Sequence, residues 1–244
     1  MGVVTAAVVA LFAVAGAVHR LTGMGFALVV VPPLVLLFGP DSGVTLAAFG
    51  ALLASLSVGL GARRDTDHSA AGILVLTVLA GSVIGVVVAV VTPATWLTIA
   101  IGVLTLLAVI ASAVVRLRRP ATSSSTHPRT LAAAGVVSGV MNATSSIGGP
   151  PLSVVASWMG MPHSVFVSTV QVPFVVMGVF TVAGRSFALG IPDVPWWLWP
   201  LMVAAVLIGV VAGAWIASRV PEKPAWIATL AIAAAGAVAL VVSG

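Results

Sequence analysis

The chain has 244 residues, of which 61% are hydrophobic and 6% are charged, and its formal net charge is +5. Soluble domains carry about a quarter charged residues, so lipid must solvate most of this chain, which excludes a soluble enzyme, a nucleic-acid-binding module and a disordered protein. The sequence contains no cysteine, which excludes disulfides and thiolate metal sites.

The apolar segments are long, which predicts helices rather than the alternating strands of a membrane β-barrel. The first segment covers residues 2–18, is interrupted at residues 19–25 and resumes over residues 26–38. It resembles a signal peptide, but it has neither a preceding basic residue nor a cleavage pattern, so we take it as part of the fold. Three uninterrupted runs follow, each near the roughly 20 residues that cross a bilayer: residues 43–61, 71–91 and 95–115.

A second interrupted segment comes next along the chain. Residues 131–141 are apolar, residues 142–151 are polar or rich in glycine and proline, and apolar character resumes to residue 160. Three more runs complete the chain: residues 163–183, 196–217 and 225–242. The sequence therefore predicts six full crossings and two broken segments.

The two halves of the sequence share several features in the same order. These are Gly25 and Gly148, Pro40-Asp41-Ser42 and Pro162-His163-Ser164, and Ile84-Gly85 and Ile208-Gly209. Features that recur at a fixed spacing are the mark of a duplicated architecture. We expect two transmembrane repeats, residues 1–122 and residues 123–244.

The basic residues between the predicted helices indicate how the repeats are related. Arg63 and Arg64 follow the first full crossing, whereas the equivalent loop of the second half holds Arg185, and Arg219 comes one crossing later. Because Lys and Arg concentrate in cytoplasmic loops, this shift favours inversion. The predicted fold is an all-α membrane protein: a polytopic helical bundle of two inverted repeats, each a broken or re-entrant helical hairpin followed by three full transmembrane helices.

Interruptions at matching positions are typical of a transport site near the membrane midplane, because unwound backbone is tolerated there only beside protein or a polar cavity. Helices that begin after Gly25 and after Gly149 would offer free N–H groups to an anion. Arg20 would neutralise that anion, and His19 would donate a hydrogen bond or carry a proton. The further candidates are break residues and one amide in a crossing: Thr22, Gly23, Asn142, Thr144, Ser145, Ser146, Gly148 and Gln171.

Structural explanations compete with these roles. Arg20 could extend to the membrane interface, the hydroxyl groups of residues 144–146 could bond their own helix, and Gln171 could bond a neighbouring helix. We expect no catalytic residue, metal or cofactor. No acidic residue falls within an uninterrupted run, and the sequence has no Walker motif and no His-Glu metal pair.

The two interruptions carry the motifs Thr22-Gly23-Met24-Gly25, followed by Pro32, and Ser145-Ser146-Ile147-Gly148-Gly149-Pro150-Pro151-Leu152. These motifs and the duplicated layout resemble those of the sulfite exporter TauE/SafE family, also called the toluene sulfonate uptake permeases. Phe26 and Ala27 stand where that family usually has small residues. The resemblance implies transport of sulfite, thiosulfate, sulfonates or other small organic anions, commonly as an exporter in bacterial inner membranes.

We therefore expect a secondary transporter, not an enzyme, that moves a small sulfur-containing or organic anion by alternating access around the two breaks. Its partners would be that anion and the lipid bilayer, without nucleic acid, and a coupling proton or sodium ion and a homodimer stay open. The alternative is a non-transporting membrane subunit or assembly factor of an enzyme complex. An intramembrane enzyme has less support.

Overall fold

The computed structural model describes residues 2–61, 65–117, 128–217 and 222–243, and these ranges contain nine helices. The helices are α1 Gly2–Thr22, α2 Phe26–Gly61, α3 His68–Val91, α4 Ala94–Leu117, α5 Pro128–Ser145, α6 Gly149–Trp158, α7 His163–Leu189, α8 Leu198–Ala217 and α9 Glu222–Ser243. Six of them are long and apolar enough to cross a membrane by length and composition. The chain is a polytopic helical membrane protein, which confirms the predicted all-α class.

The chain turns back on itself within α2. Gly39 has a φ of 76° and a ψ of 171°, which is not helical, and a Cβ built on Gly43 would lie 2.7 Å from the carbonyl group of Leu34. In a continuous helix those two residues would lie about 13 Å apart along the axis. α2 is therefore two segments that fold back on each other, which we name α2a (residues 26–38) and α2b (residues 40–61).

A helical hairpin also forms in the second half, where residues 146–148 separate α5 from α6. Ser138 Oγ donates a hydrogen bond to the carbonyl oxygen of Gly148. Leu131, near the start of α5, belongs to the same hydrophobic cluster as Ala156, near the end of α6. α6 therefore runs back along α5 and returns the chain to the end of the bundle where α5 begins.

Two helix pairs, α1 with α8 and α3 with α5, join the halves of the chain through glycines. The glycines face backbone carbonyl groups of the partner helix: Gly209 and Gly213 face Ala13 and Ala17, and Gly81 and Gly85 face Val136 and Val140. Small residues allow helix backbones to approach this closely. Residue numbers rise together on the two partners, so the helices of each pair are parallel. By these contacts Gly81 is the residue of the first half that is equivalent to Gly209 of the second. The sequence comparison of the two halves pairs Gly209 with Gly85 instead, four residues further on. The repeats, residues 1–122 and 123–244, stay a prediction that these matched contacts support.

α2b and α7 each follow a hairpin, and they pack against each other. Gly59 lies beside Gln171, and Leu52 lies beside Gly178. Between these two contacts the residue number falls by seven on α2b and rises by seven on α7, so the two helices are antiparallel. Inverted repeats predict this orientation for equivalent helices, whereas parallel repeats predict the opposite one.

The structure corrects the expected position of Arg185. The sequence predicts a crossing that ends at residue 183 and a loop that contains Arg185, but α7 continues to Leu189 and buries this side chain completely. The helix continues because the guanidinium group finds hydrogen-bond acceptors inside the bundle. Arg185 therefore cannot serve as a loop residue in the comparison of basic loops. At the next helix, α8 begins at Leu198 rather than at Trp196.

Candidate functional site

The two breaks have the same local backbone structure. Gly23 has a φ of 80° and Ser146 has a φ of 59°. Their N–H groups donate to the carbonyl oxygens of His19 and Asn142, four residues earlier, at 2.7 and 2.6 Å. Each helix therefore ends in a residue with left-handed backbone geometry, and His19 and Asn142 occupy equivalent positions one turn before it.

Hydroxyl groups stabilise both helix ends. Thr22 Oγ1 donates to the Val18 carbonyl oxygen at 2.9 Å and accepts from the Gly25 N–H at 2.9 Å. Ser145 Oγ donates to the Met141 carbonyl oxygen at 2.7 Å. The hydroxyl group of Thr144 likewise bonds the backbone of its own helix. These three hydroxyl groups hold the helix ends, which is the structural explanation that competes with ligand binding.

Both breaks line one small cavity in the interior of the bundle. Its volume is about 30 Å³, which is room for a water molecule. The lining residues come from both breaks, from α2b and from α7: His19, Met24, Ala27, Ala48, Ala51, Ser55, Asn142, Ser146, Ile147, Gly148, Gly149, Phe174 and Gly178. The structure thus brings together five of the predicted site residues on one cavity: His19, Asn142, Ser146, Gly148 and Gly149.

His19 is the polar group that the first break contributes to the cavity. Its Nε2 atom lies 3.3 Å from Gln171 Oε1 and 3.4 Å from Ser55 Oγ. Gln171 Nε2 in turn donates to the Gly23 carbonyl oxygen at 3.1 Å. His19 Nδ1 is buried and has no hydrogen-bond partner within the described ranges. Because Gln171 Oε1 can only accept, Nε2 carries the proton of the neutral ring, and Nδ1 is an unpaired acceptor that can donate to a ligand only when the ring gains a second proton.

Asn142 and Ser146 are the polar groups of the second break. Asn142 Nδ2 donates to Thr181 Oγ1 of α7 at 2.9 Å. Ser146 Oγ is buried without a hydrogen-bond partner among the residues that the structure describes. Gly149 lies against Met24 of the first break, and an ideal Cβ built on Gly149 would lie 2.8 Å from the sulfur atom of Met24. The breaks therefore meet through this contact as well as across the cavity.

The helix N-termini at the two breaks differ in the donors that they offer. α2a begins with Phe26, Ala27 and Leu28, whose N–H groups lie in the first helical turn. α6 begins with Gly149 followed by Pro150 and Pro151, and proline has no N–H group. The second break therefore keeps the N–H groups of Gly148 and Gly149 but lacks those of the next two residues, so it offers fewer backbone donors than the first.

Arg20 lies outside this cavity. Its side chain is exposed. Its Cβ lies against Gly213 of α8, where an ideal Cβ built on the glycine would be 3.0 Å away from it. The neighbouring His19 points inward because consecutive residues on a helix are about 100° apart. The structure therefore separates Arg20 from the predicted site residues that surround the cavity.

Arg185 is a buried cation that the sequence analysis assigns to a loop. Its guanidinium group donates to the Ala143 carbonyl oxygen at 3.1 Å, to the Pro40 carbonyl oxygen at 3.0 Å and to Thr45 Oγ1 at 3.3 Å. Arg185 Nη2 also lies 3.5 Å from Asp41 Oδ1. Helical spacing from Gln171, through residues 178 and 181, is the sequence signal that places Arg185 on the cavity side of α7.

A larger cavity of about 500 Å³ reaches the first break from one end of the bundle. It lies where α4 ends, where α6 returns and where α7 and α9 begin. Thr22, Met24 and Gly25 line its inner part, and Phe166 and Leu28 are among its apolar residues. Ser112 Oγ, which is also in this lining, is buried and has no hydrogen-bond partner in the described part of the chain.

Comparison with known proteins identifies a family. A family model described as "Sulfite exporter TauE/SafE" matches residues 8–241, which is nearly the whole chain. No curated protein and no solved structure matches the chain.

Proposed function

The chain belongs to the sulfite exporter TauE/SafE family of membrane transporters, and from this membership we propose that it moves a small sulfur-containing or organic anion, such as sulfite, thiosulfate or a sulfonate. Transport would be secondary and would proceed by alternating access around the two helix breaks. The direction would be export, and the location would be a bacterial inner membrane. A coupling proton or sodium ion and a homodimer belong to the same proposal.

The central cavity is the observation that carries this proposal. Both breaks line it, and two of its lining residues, His19 and Ser146, each have a buried polar atom, Nδ1 and Oγ, with no hydrogen-bond partner among the described residues. Neutral donors at helix breaks suit an anion that must bind and then leave, because they stabilise negative charge without a fixed opposite charge. In this proposal Asn142 and Ser146 donate to the anion's oxygen atoms, and the N–H groups at the start of α2a assist. His19 joins them only when it carries the coupling proton, because the neutral ring donates through Nε2 to Gln171 and leaves Nδ1 as an acceptor.

The distribution of basic residues supports an orientation for the transporter. The ends of α2, α4 and α8 and the starts of α3, α5 and α9 lie at one end of the bundle, which we name the basic end, and the other end is the distal end. In the sequence, eight of the 10 basic residues fall between or beside these helix ends: Arg63, Arg64, Arg116, Arg118, Arg119, Arg129, Arg219 and Lys223. Because positive residues concentrate on the cytoplasmic side, we propose that the basic end is cytoplasmic. The cavity of about 500 Å³ would then admit substrate from the cytoplasm.

A flux assay with one cavity variant tests the proposed function. Proteoliposomes that contain the purified protein should accumulate radiolabelled sulfite faster than empty liposomes. Ser146→Ala removes a donor that has no hydrogen-bond partner among the described residues. The apparent affinity of this variant for sulfite should fall about tenfold or more, as expected for a lost hydrogen bond to a charged group.

Ser57→Ala is the matched control, because Ser57 Oγ donates to the Leu53 carbonyl oxygen of its own helix at 2.8 Å and lies outside the cavity lining. Its flux should equal that of the wild type. Unchanged transport by Ser146→Ala would remove the central cavity from the substrate path. Absence of flux of sulfite, thiosulfate and methanesulfonate, together with a stable protein partner on purification, would favour the non-transporting subunit instead.

A further inference from the structure

One face of α7 carries the polar contacts of both breaks. Gln171 bonds the Gly23 carbonyl oxygen of the first break, and Thr181 accepts from Asn142 of the second. Arg185 follows one turn later, and Gly178 of the cavity lining lies between. The spacings of seven, three and four residues place these four positions on one helix face. Three polar side chains, those of Gln171, Thr181 and Arg185, therefore follow one face of α7 from the first break past the central cavity.

Arg185 stands between the cavity and the distal end. On its inner side it bonds the carbonyl oxygen of Ala143, which directly follows Asn142 of the cavity. On its outer side it bonds the carbonyl oxygens of Pro40 and Asp41, in the turn between α2a and α2b. The guanidinium group therefore lies between the residue that follows Asn142 and the turn at the distal end.

The charge of Arg185 is poorly compensated. Its side chain is 0% exposed, and its ion partner in the described part of the chain is Asp41, whose side chain is 51% exposed. The other contacts are neutral oxygen atoms. A half-solvated carboxylate gives a weak ion pair, whereas a buried guanidinium group is costly without a full partner. Arg185 therefore retains a strong preference for a further anion.

We propose that Arg185 is a substrate-binding residue on the distal side of the cavity, and that Asp41 is the counter-ion that the substrate anion displaces from it. The planar guanidinium group binds two oxygen atoms of a sulfite, sulfonate or carboxylate group side by side. Binding in this way releases the Pro40 and Asp41 contacts and so loosens the turn at Gly39. The inference rests on the proposed transport of anions and names the residue that receives the anion on its way out.

Equilibrium binding to the purified protein separates this role from a structural one. Radiolabelled sulfite is titrated against the wild type, Asp41→Asn and Arg185→Lys in detergent at low salt. Asp41→Asn removes the competing carboxylate, so sulfite should bind about two- to fivefold more tightly. Arg185→Lys keeps the charge but loses the paired donors, so binding should weaken about tenfold or more. If Arg185 only holds the turn in place, Asp41→Asn leaves the affinity unchanged or weakens it.

Asp193→Asn is the matched control, because Asp193 is also an exposed acid at the distal end and the change of charge is the same. Its affinity should equal that of the wild type. Asp41→Asn decides the question even if Arg185→Lys does not fold. Wild-type binding with unchanged affinity in Asp41→Asn overturns this inference alone. Failure of the wild type to bind sulfite, methanesulfonate and acetate overturns the proposed function and this inference with it.

Discussion

Ser146 has the left-handed backbone geometry that Gly23 has at the equivalent position of the first break. A side chain makes this geometry costly by about 1–2 kcal/mol, and glycine avoids that cost. The serine places its hydroxyl group at the central cavity without a protein partner among the described residues. Strain that persists at one of two equivalent positions is consistent with the binding role proposed for Ser146.

Replacement of Gly23 tests the geometry of the first break. Gly23→Ala should destabilise the protein by more than the roughly 1–2 kcal/mol of the left-handed geometry, because the new Cβ would lie 2.7 Å from a methyl group of Val167. The measurement is the midpoint of thermal unfolding in detergent. Gly160→Ala is the control, since Gly160 is exposed and has a φ of 63°. Equal losses in the two variants would contradict the packing contribution.

Single residues show how far the sequence could predict the site. Asn142 and Gln171 were identifiable because an amide in an apolar helix is costly without a partner, and both lie beside the cavity or bond a residue that lines it. The sequence could not show which of Arg20 and Arg185 is buried in the bundle. Arg20 adjoins the first break in sequence and is exposed, whereas Arg185 follows a predicted span and is fully buried. Burial depends on which helix faces meet, and the sequence of one helix does not specify its partner.

The packing of α1 against α8 and of α3 against α5 should depend on the glycines at the helix contacts. Gly209→Ala would place a Cβ against the Ala13 carbonyl group, and Gly81→Ala would do so against that of Val136. Each variant should lower stability by about 1–3 kcal/mol, as overpacking does, and by similar amounts because the contacts are equivalent. The thermal unfolding midpoint in detergent gives the measurement.

Gly72→Ala is the control for this pair, because it lies in α3 with no other atom within 4 Å of the new Cβ. This variant should keep or slightly raise the unfolding midpoint, since alanine favours helices. A large loss from only one of Gly209→Ala and Gly81→Ala would show that the two helix pairs do not depend equally on their glycines.

The helices themselves were predictable, since apolar runs of about 20 residues have few alternatives in a bilayer. The end of α7 was not, because the run of apolar residues stops at Ala183 while the helix continues to Leu189. A hydropathy pattern ends a predicted span where a charged residue occurs, although hydrogen-bond acceptors inside the bundle can stabilise that charge. The pairing of α1 with α8 and of α3 with α5 also lay beyond the sequence, since small residues permit close contact without naming the partner.

The orientation of the whole molecule can be tested directly, because the natural sequence has no cysteine. Asp193→Cys at the distal end should react with a membrane-impermeant maleimide in intact spheroplasts. Ser69→Cys, in the first turn of α3 at the basic end, should react only after lysis. Both positions are exposed. The reverse pattern would contradict the cytoplasmic assignment of the basic end, and reaction of both in intact spheroplasts would contradict the placement of the two ends on opposite sides.

The parallel packing of α1 against α8 also constrains how the protein is made. Translation at about 5–20 residues per second leaves roughly 10–35 seconds between the completion of α1 and the first residue of α8. During that interval the glycine-lined groove that receives α1 does not yet exist. Until then the nascent α1 lies in lipid or beside the insertion machinery, where exposure of the polar His19 and Arg20 near its end to lipid is energetically unfavourable. Final assembly of the bundle is therefore a late event in biosynthesis.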